Sequence, residues 1–296
     1  MYPFARGLGK HVPLLLLLLP LGLYVLFGLL PSLGTVVFSF TNMTGLPGQD
    51  WHFVGWHNFH RFFFSSDQHE RLVAIRRTLI FSAAVTVLQN GIALFVAVLI
   101  NQRLKGDSFY RAVFFLPVVL GVTVSGLIWK MMFNSMDGPV QKLIGLFGWH
   151  SNFLGSYDAA FPIVIFVQIW MYMGYSMVIF LAGLQTIPKD LYEAGYIDGT
   201  TPWQAFRNIT FPLIAPSFTV NILLSMIGAL QTFDTIFVLT QGKFYTNTLA
   251  VDVFNAAFNG TLDLGYASAV AMIQFVFVFL VVIISQYYLR KREVQM

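Results

Sequence analysis

Few residues in this chain are of types that do chemistry, and their spacing narrows what that chemistry can be. His52, His57 and His60 fall in one aromatic stretch, but no acidic or thiol side chain sits at helical spacing to complete a zinc ligand set. The cysteine count is 0, which excludes disulfides, thiolate nucleophiles and cysteine metal sites. The chain lacks a Gly-x-x-x-x-Gly-Lys-Ser/Thr phosphate loop, so it does not hydrolyse ATP by that route. It also lacks His-Glu-x-x-His and Gly-x-Ser-x-Gly. Gly174-Tyr175-Ser176 has no second glycine, and Ser176 reads as a helix-packing residue. What remains is one polar stretch, from Gln185 to Pro216, set in a very apolar second half.

That stretch carries its own folding instructions. Pro188 suits the first turn of a helix, where its missing N–H would have no partner anyway. Asp190 puts a negative charge in the first turn, where the helix dipole favours it. Gly199 suits the residue just past the helix end, where the chain turns left-handed. A second start follows, with Thr201 as cap, Pro202 at the first position and Gln204 closing a Thr-x-x-Gln capping box. The reading is a short helix, a glycine turn and a second helix leading into the next apolar span. On spacing alone, a plain surface connector stays open.

The elements around it are read from composition. Of 296 residues, 57% are hydrophobic and 10% charged, where a soluble domain carries about 25% charged residues. Mean hydropathy is +0.71. An all-α integral membrane protein follows, with room for about six spans of about 20 residues. These are placed near 12–40, 78–100, 112–133, 161–184, 209–233 and 266–289. The first is uncleaved, since its apolar run exceeds a signal-peptide core, and is bent near Pro20 or Pro31. Residues 51–63 look like an amphipathic segment with aromatics at headgroup level, and 248–258 like a short helix in the last loop. Residues 1–11 and 290–296 are tails, 12–289 the six-helix transmembrane domain, and 185–211 its polar loop.

The Lys and Arg distribution orients the chain. With both ends inside, ten lie inside (Arg6, Lys10, Arg103, Lys105, Arg111, Lys189, Arg207, Arg290, Lys291, Arg292) against seven outside (Arg61, Arg71, Arg76, Arg77, Lys130, Lys142, Lys243). This puts the polar loop in the cytoplasm. The formal charge of +4 is spread without a run beyond Arg290-Lys291-Arg292, so nothing points to nucleic acid. The spans are nearly free of ionisable groups, and only Asp234, at the outer end of the fifth, comes near. A self-sufficient ion-coupled carrier usually needs membrane-embedded carboxylates or histidines; that alternative is disfavoured, and a transporter of this composition needs an external motor.

Glu193, Asp198-Gly199, Phe206, Ile209 and Pro212 closely resemble the cytoplasmic "EAA" loop of binding-protein-dependent ABC importer permeases. Here Gly195, Thr200 and Phe211 stand where the pattern has Ala, Ala and Leu. Gly195 lowers helix propensity by roughly 1 kcal/mol. The resemblance extends along the chain through Phe53-Val54-Gly55 with Asn58-Phe59, Leu116-Pro117, Trp129 to Asn134, Leu184 to Ala194, Thr232-Phe233-Asp234, Val238 to Gly242, and Leu264 to Ala269. Within the importers it is similar to the sugar branch, of maltose and glycerol-phosphate type.

The resemblance implies six transmembrane helices in the bacterial inner membrane, with a helix-turn-helix coupling loop between the fourth and fifth. It implies a second permease subunit, a dimer of ATPase subunits that carry the ATP and Mg, and an extracytoplasmic sugar-binding protein. This chain would be non-catalytic and hold no cofactor or metal of its own. The coupling residues would be Tyr192, Glu193, Ala194, Asp198, Gly199 and Phe206, with Glu193 pairing with a basic group of the ATPase and Gly199 setting the lever's angle. For the sugar pathway, polar groups on spans four to six are candidates: Gln168, Tyr172, Tyr175, Asn221, Ser225 and Gln274. Aromatics can stack on a sugar face and amides bond its hydroxyls, though each can instead bond a neighbouring helix. Gln89-Asn90-Gly91 in span two reads as helix packing.

Overall fold

The computed structural model describes residues 16–66, 68–102, 106–259 and 262–291. Residues 1–11 with Arg6 and Lys10, the first four residues of the expected first span (12–15), the Arg103 and Lys105 of the basic turn, and the tail from Arg292 on lie outside the described residues. The fold is all-α, and among the described residues the only β-type pairing is an isolated bridge between Thr41 and Phe53. Four helices are long and apolar enough to cross a membrane, and the count reaches six if each of two bent pairs is one span.

By contacts the chain divides into two compact units. The first comprises Met1–Gln68 and Val253–Gln274. Its helix α1 (Leu16–Phe38) has no buried residues across its apolar window, so its leucines require lipid as their surroundings. Just ahead of Pro31 it widens into a π-helical turn, Val25–Leu29, in which the Leu30 N–H reaches Val25 O. The irregularity expected near Pro31 therefore takes the form of a π turn, a recognised source of helix bending. Helix α2 (His57–Phe64) is the amphipathic segment, shorter than expected because residues 51–56 run through an extended stretch and a turn. Its buried Asn58 donates to Ser39 O and Thr41 O. Its Arg61 pairs with Asp263 at 2.6 Å and lies over the Tyr266 ring.

The second unit comprises His69–Asp252 and Phe275–Met296. Helix α3 (Gln68–Asn101) starts ten residues before the expected span does, because Glu70, Arg71, Arg76 and Arg77 in its first three turns hold down the hydropathy there. The expected straight third span is instead broken. Helices α4 (Asp107–Leu120) and α5 (Val122–Met132) meet at 100°. Gly121 makes the break at φ +73°, ψ 161°, a conformation that residues with a Cβ avoid. Helix α6 (Pro139–Gly145) lies in the following loop. Helix α7 (Ala160–Gln185) is the central post of the unit, with α4 and α10 packed on it. Gly174 permits this, because a Cβ there would run into the Phe114 carbonyl of α4.

After α7 come α8 (Lys189–Ile197), α9 (Pro202–Leu213) and α10 (Ala215–Leu230). The expected fifth span is also broken, by 69° between α9 and α10, and its straight part ends at Leu230 rather than Phe233. Pro212 and Pro216 flank this bend, where each removes a ladder donor. Helix α11 (Asp234–Thr240) follows and packs on α5 and α7. Helix α12 (Leu249–Phe258) matches the short helix expected in the last loop, and α13 (Leu264–Arg290) is the final span. The apolar core of the unit is built by Phe81, Val85, Val164, Val167 and Met171 toward one end and by Ala97, Met177, Phe180, Leu184 and Ile214 toward the other.

Candidate functional site

Two features could carry function, a projecting helix pair and a cavity. The pair is α8 and α9. Pro188 stands at the start of the helix as its cap residue, at ψ 136°, with the first helical residue at Lys189. Asp190 lies in the first turn and Gly199 is left-handed at φ +75°. The Gly199 N–H donates to Tyr196 O and the Thr200 N–H to Gly195 O, at 3.1 and 3.0 Å. This is a Schellman ending. The capping box at α9 is complete. The Thr201 N–H donates to Gln204 Oε1 at 2.8 Å, and the Gln204 N–H donates to Thr201 Oγ1 at 3.4 Å.

These caps hold two short helices at a fixed angle. Side chains then fasten them together, with Tyr192 Oη and Thr210 Oγ1 sharing a hydrogen bond of 2.9 Å. Gly195 is buried, and a Cβ there would lie 3.0 Å from Ile209 Cδ1 and 3.1 Å from Thr200 Oγ1. The Thr200 hydroxyl in turn donates to the Gly195 carbonyl at 2.7 Å. The glycine and threonine that depart from the loop pattern therefore fit each other.

The six expected coupling residues separate into two groups. Glu193, Ala194, Asp198 and Gly199 are exposed, while Tyr192 and Phe206 are half-buried scaffold, Phe206 stacking on Trp203. The Glu193 side chain has no hydrogen bond or ion pair to another described residue and is exposed. The sequence reading missed the apolar surface beside it, formed by Tyr196 and Ile197, 83% and 84% exposed, and by Trp203. The signal was present in two bulky side chains at successive positions of a helix whose other faces were accounted for.

The cavity, of about 530 Å³, opens among α3, α4, α5, α7, α10 and α11. Gln168, Tyr172, Tyr175 and Ser225 line it. Asn221 does not; it is 1% exposed and donates to Ser176 O at 3.1 Å, an inter-helix bond. Gln274 is buried on α13 in the other unit and is not a lining residue. Gln89 donates to Ser176 Oγ at 2.9 Å and Asn90 to Ser225 Oγ at 2.7 Å. Those two thus pack helices as expected, with Gln89 and Ser176 also reaching the cavity wall. Such bonds contribute only about 0.6 kcal/mol each in a membrane, so they set register more than they stabilise.

The remaining polar wall comes from the break after α10. Gln231, Thr232, Phe233, Asp234 and Thr235 all line the cavity. Thr235 Oγ1 donates to Gln168 Oε1 at 2.6 Å, and Gln168 Nε2 donates to Thr232 Oγ1 at 3.4 Å. Reading the fifth span as continuous to Phe233 hid this wall, although Asp234 at a helix start was a signal for the break. Amides, hydroxyls and aromatic faces with few charges suit a polyhydroxylated ligand.

The sequence profile of the family described as "Binding-protein-dependent transport system inner membrane component" matches residues 89–294. The chain is 34% identical over 292 residues to the multiple sugar-binding transport system permease protein MsmF of Streptococcus mutans, covering 98% of this chain and 99% of that one. It is 32% identical over 270 residues to the probable starch degradation products transport system permease protein AmyD of Thermoanaerobacterium thermosulfurigenes, covering 90% of each. The crystal structure of a bacterial ABC transporter involved in the import of the acidic polysaccharide alginate has a chain of the same fold. It superposes at TM-score 0.83 with 22% identity, over 98% of this chain and 99% of that one.

Proposed function

This chain belongs to the binding-protein-dependent transport system inner membrane components, and from that premise we propose that it is a permease subunit of an ATP-driven importer of a sugar or oligosaccharide. It forms half of the translocation pathway. A second permease forms the other half, an ATPase dimer works beneath both, and a sugar-binding protein delivers substrate from outside. ATP and Mg²⁺ are held by the ATPase, and this chain is not catalytic. Both termini and the α8–α9 pair face the cytoplasm. The sugar assignment is supported by relatives named for sugars and starch products and by a cavity lined mainly by amides, hydroxyls and aromatic rings, with Asp234 as its one charged lining residue.

The observation that carries the coupling role is the exposed Glu193 beside Tyr196, Ile197 and Trp203 on a doubly capped helix pair. Magnitudes divide the labour. An exposed ion pair contributes about 0–1 kcal/mol, whereas fully burying one large apolar side chain contributes about 1.5–3 kcal/mol. The apolar side chains therefore hold α8 in the ATPase, and Glu193 fixes its register. When the ATPases close, α8 moves as one body, because its end bonds and the Tyr192–Thr210 link resist bending. The motion passes through α9 and the bend at Ile214 into α10, whose far end borders the cavity.

Glu193→Ala should lower substrate-stimulated ATP hydrolysis and uptake by roughly tenfold, the scale of a lost coupling contact, at unchanged membrane level. Ile197→Ala should instead loosen ATPase association during purification. Uptake unchanged in Glu193→Ala would sink the coupling role.

A further inference from the structure

The importer fold does not decide the charge of the cargo, since a transporter of an acidic polysaccharide shares it. The lining of the cavity bears on that question. Among the described residues around it, Asp234 carries the only formal charge, and no lysine, arginine or histidine reaches it. The rest of the polar wall is amides (Gln89, Gln168, Gln231), hydroxyls (Ser176, Ser225, Thr232, Thr235) and the tyrosines, all neutral. Asp234 is exposed and lies in the first turn of α11. Its carboxylate already occupies the positive end of that helix dipole, so the dipole is not available to an incoming anion.

Resting on the sugar-importer reading, we infer that Asp234 is a charge filter: this half of the pathway admits uncharged saccharides and rejects those that carry carboxylates. A uronate in the cavity would meet one fixed negative charge and no compensating cation. At the effective dielectric of a protein surface, a like-charge approach of a few ångströms is enough to cost at least tenfold in binding. Amides and hydroxyls of the wall can satisfy a neutral sugar's hydroxyls without that penalty. Because Asp234 is open to solvent, the discrimination should shrink as salt is added.

The test uses the assembled transporter, both permeases with the ATPase, in lipid nanodiscs without the binding protein, so that the binding protein's own selectivity is bypassed. The probes are neutral trisaccharides of glucose and of galactose and their uronate counterparts. The readout is the ratio of neutral to uronate affinity, so a general loss of binding in a variant cancels. The wild type should favour the neutral trisaccharide by about tenfold or more, a ratio that 1.4 kcal/mol supplies. Asp234→Asn should bring the ratio close to one, and Asp234→Glu should retain it. A ratio unmoved in Asp234→Asn while neutral sugar still binds would overturn the filter and leave the importer reading intact. Tighter binding of the uronate by the wild type would do the same. If no saccharide binds, the sugar reading itself fails, and the filter with it.

Discussion

Asp252 shows how a single residue can carry a cost. It sits in the first turn of α12, where a dipole favours a carboxylate, and it accepts a hydrogen bond from Asn247 at 2.5 Å. Burial nevertheless pushes its carboxyl up to about 6, helped by Glu70 and opposed by Asn247, Arg71 and Arg77. The folded protein thus holds this proton more tightly than the unfolded chain. Stability from this group is full below the ordinary value of 3.8 and is lost as pH climbs through about 6. Asp252→Asn should therefore raise the unfolding temperature of the purified complex at pH 7.5, by a free energy on the order of 3 kcal/mol at most. It should give no gain near pH 3.5, and equal midpoints at pH 7.5 would refute the penalty. Nothing in the sequence revealed this, because Asp252 has an ordinary helical context and only tertiary burial perturbs it. By contrast, Thr201, Gln204 and Gly199 could be assigned roles directly, since caps and turns use partners within a few residues.

Among the elements, the α8–α9 pair was the most legible, for the same local reason. What the sequence did not show was how Gly195 and Thr200 act together. Gly195 looked like a weak helix former, yet it is the space that lets Ile209 and Thr200 approach α8. Gly195→Ala alone should loosen the pair by about 1 kcal/mol, despite its better helix propensity, and Thr200→Ala alone by a similar amount. The double variant, which restores the pattern's Ala at both positions, should recover much of the loss. A double-mutant cycle on thermal stability or stimulated ATP hydrolysis measures this, and strictly additive losses would show the two residues to be independent. The broken spans were the least legible elements. Hydropathy sums over a window and is blind to direction, so Gly121 contributes alike whether it packs or bends. The cavity wall after α10 was lost for the same reason.

At the scale of the molecule, burial on one chain describes half of a pathway, and the orientation rests on the distribution of Lys and Arg. The absence of cysteine makes that orientation straightforward to check. Asn208→Cys on α9 and Leu146→Cys in the loop after α6 each add one reactive thiol at an exposed position. A membrane-impermeant maleimide should label Leu146→Cys in intact cells and Asn208→Cys only in inverted vesicles. The reverse pattern would turn the whole topology over and remove α8 from the ATPase. The broken third span also has a consequence for how the protein is made. Helix α4 has 14 residues and α5 has 11, and neither alone reaches the roughly 20 needed to cross the bilayer. To the insertion machinery they are one straight rod. A 100° corner in lipid would expose backbone groups that neighbouring helices must cover. We therefore expect the corner to form only after α7 has been synthesised and its Gly174 can receive the Phe114 carbonyl. On that expectation, the nascent chain carries a straight third span that its own later sequence folds over.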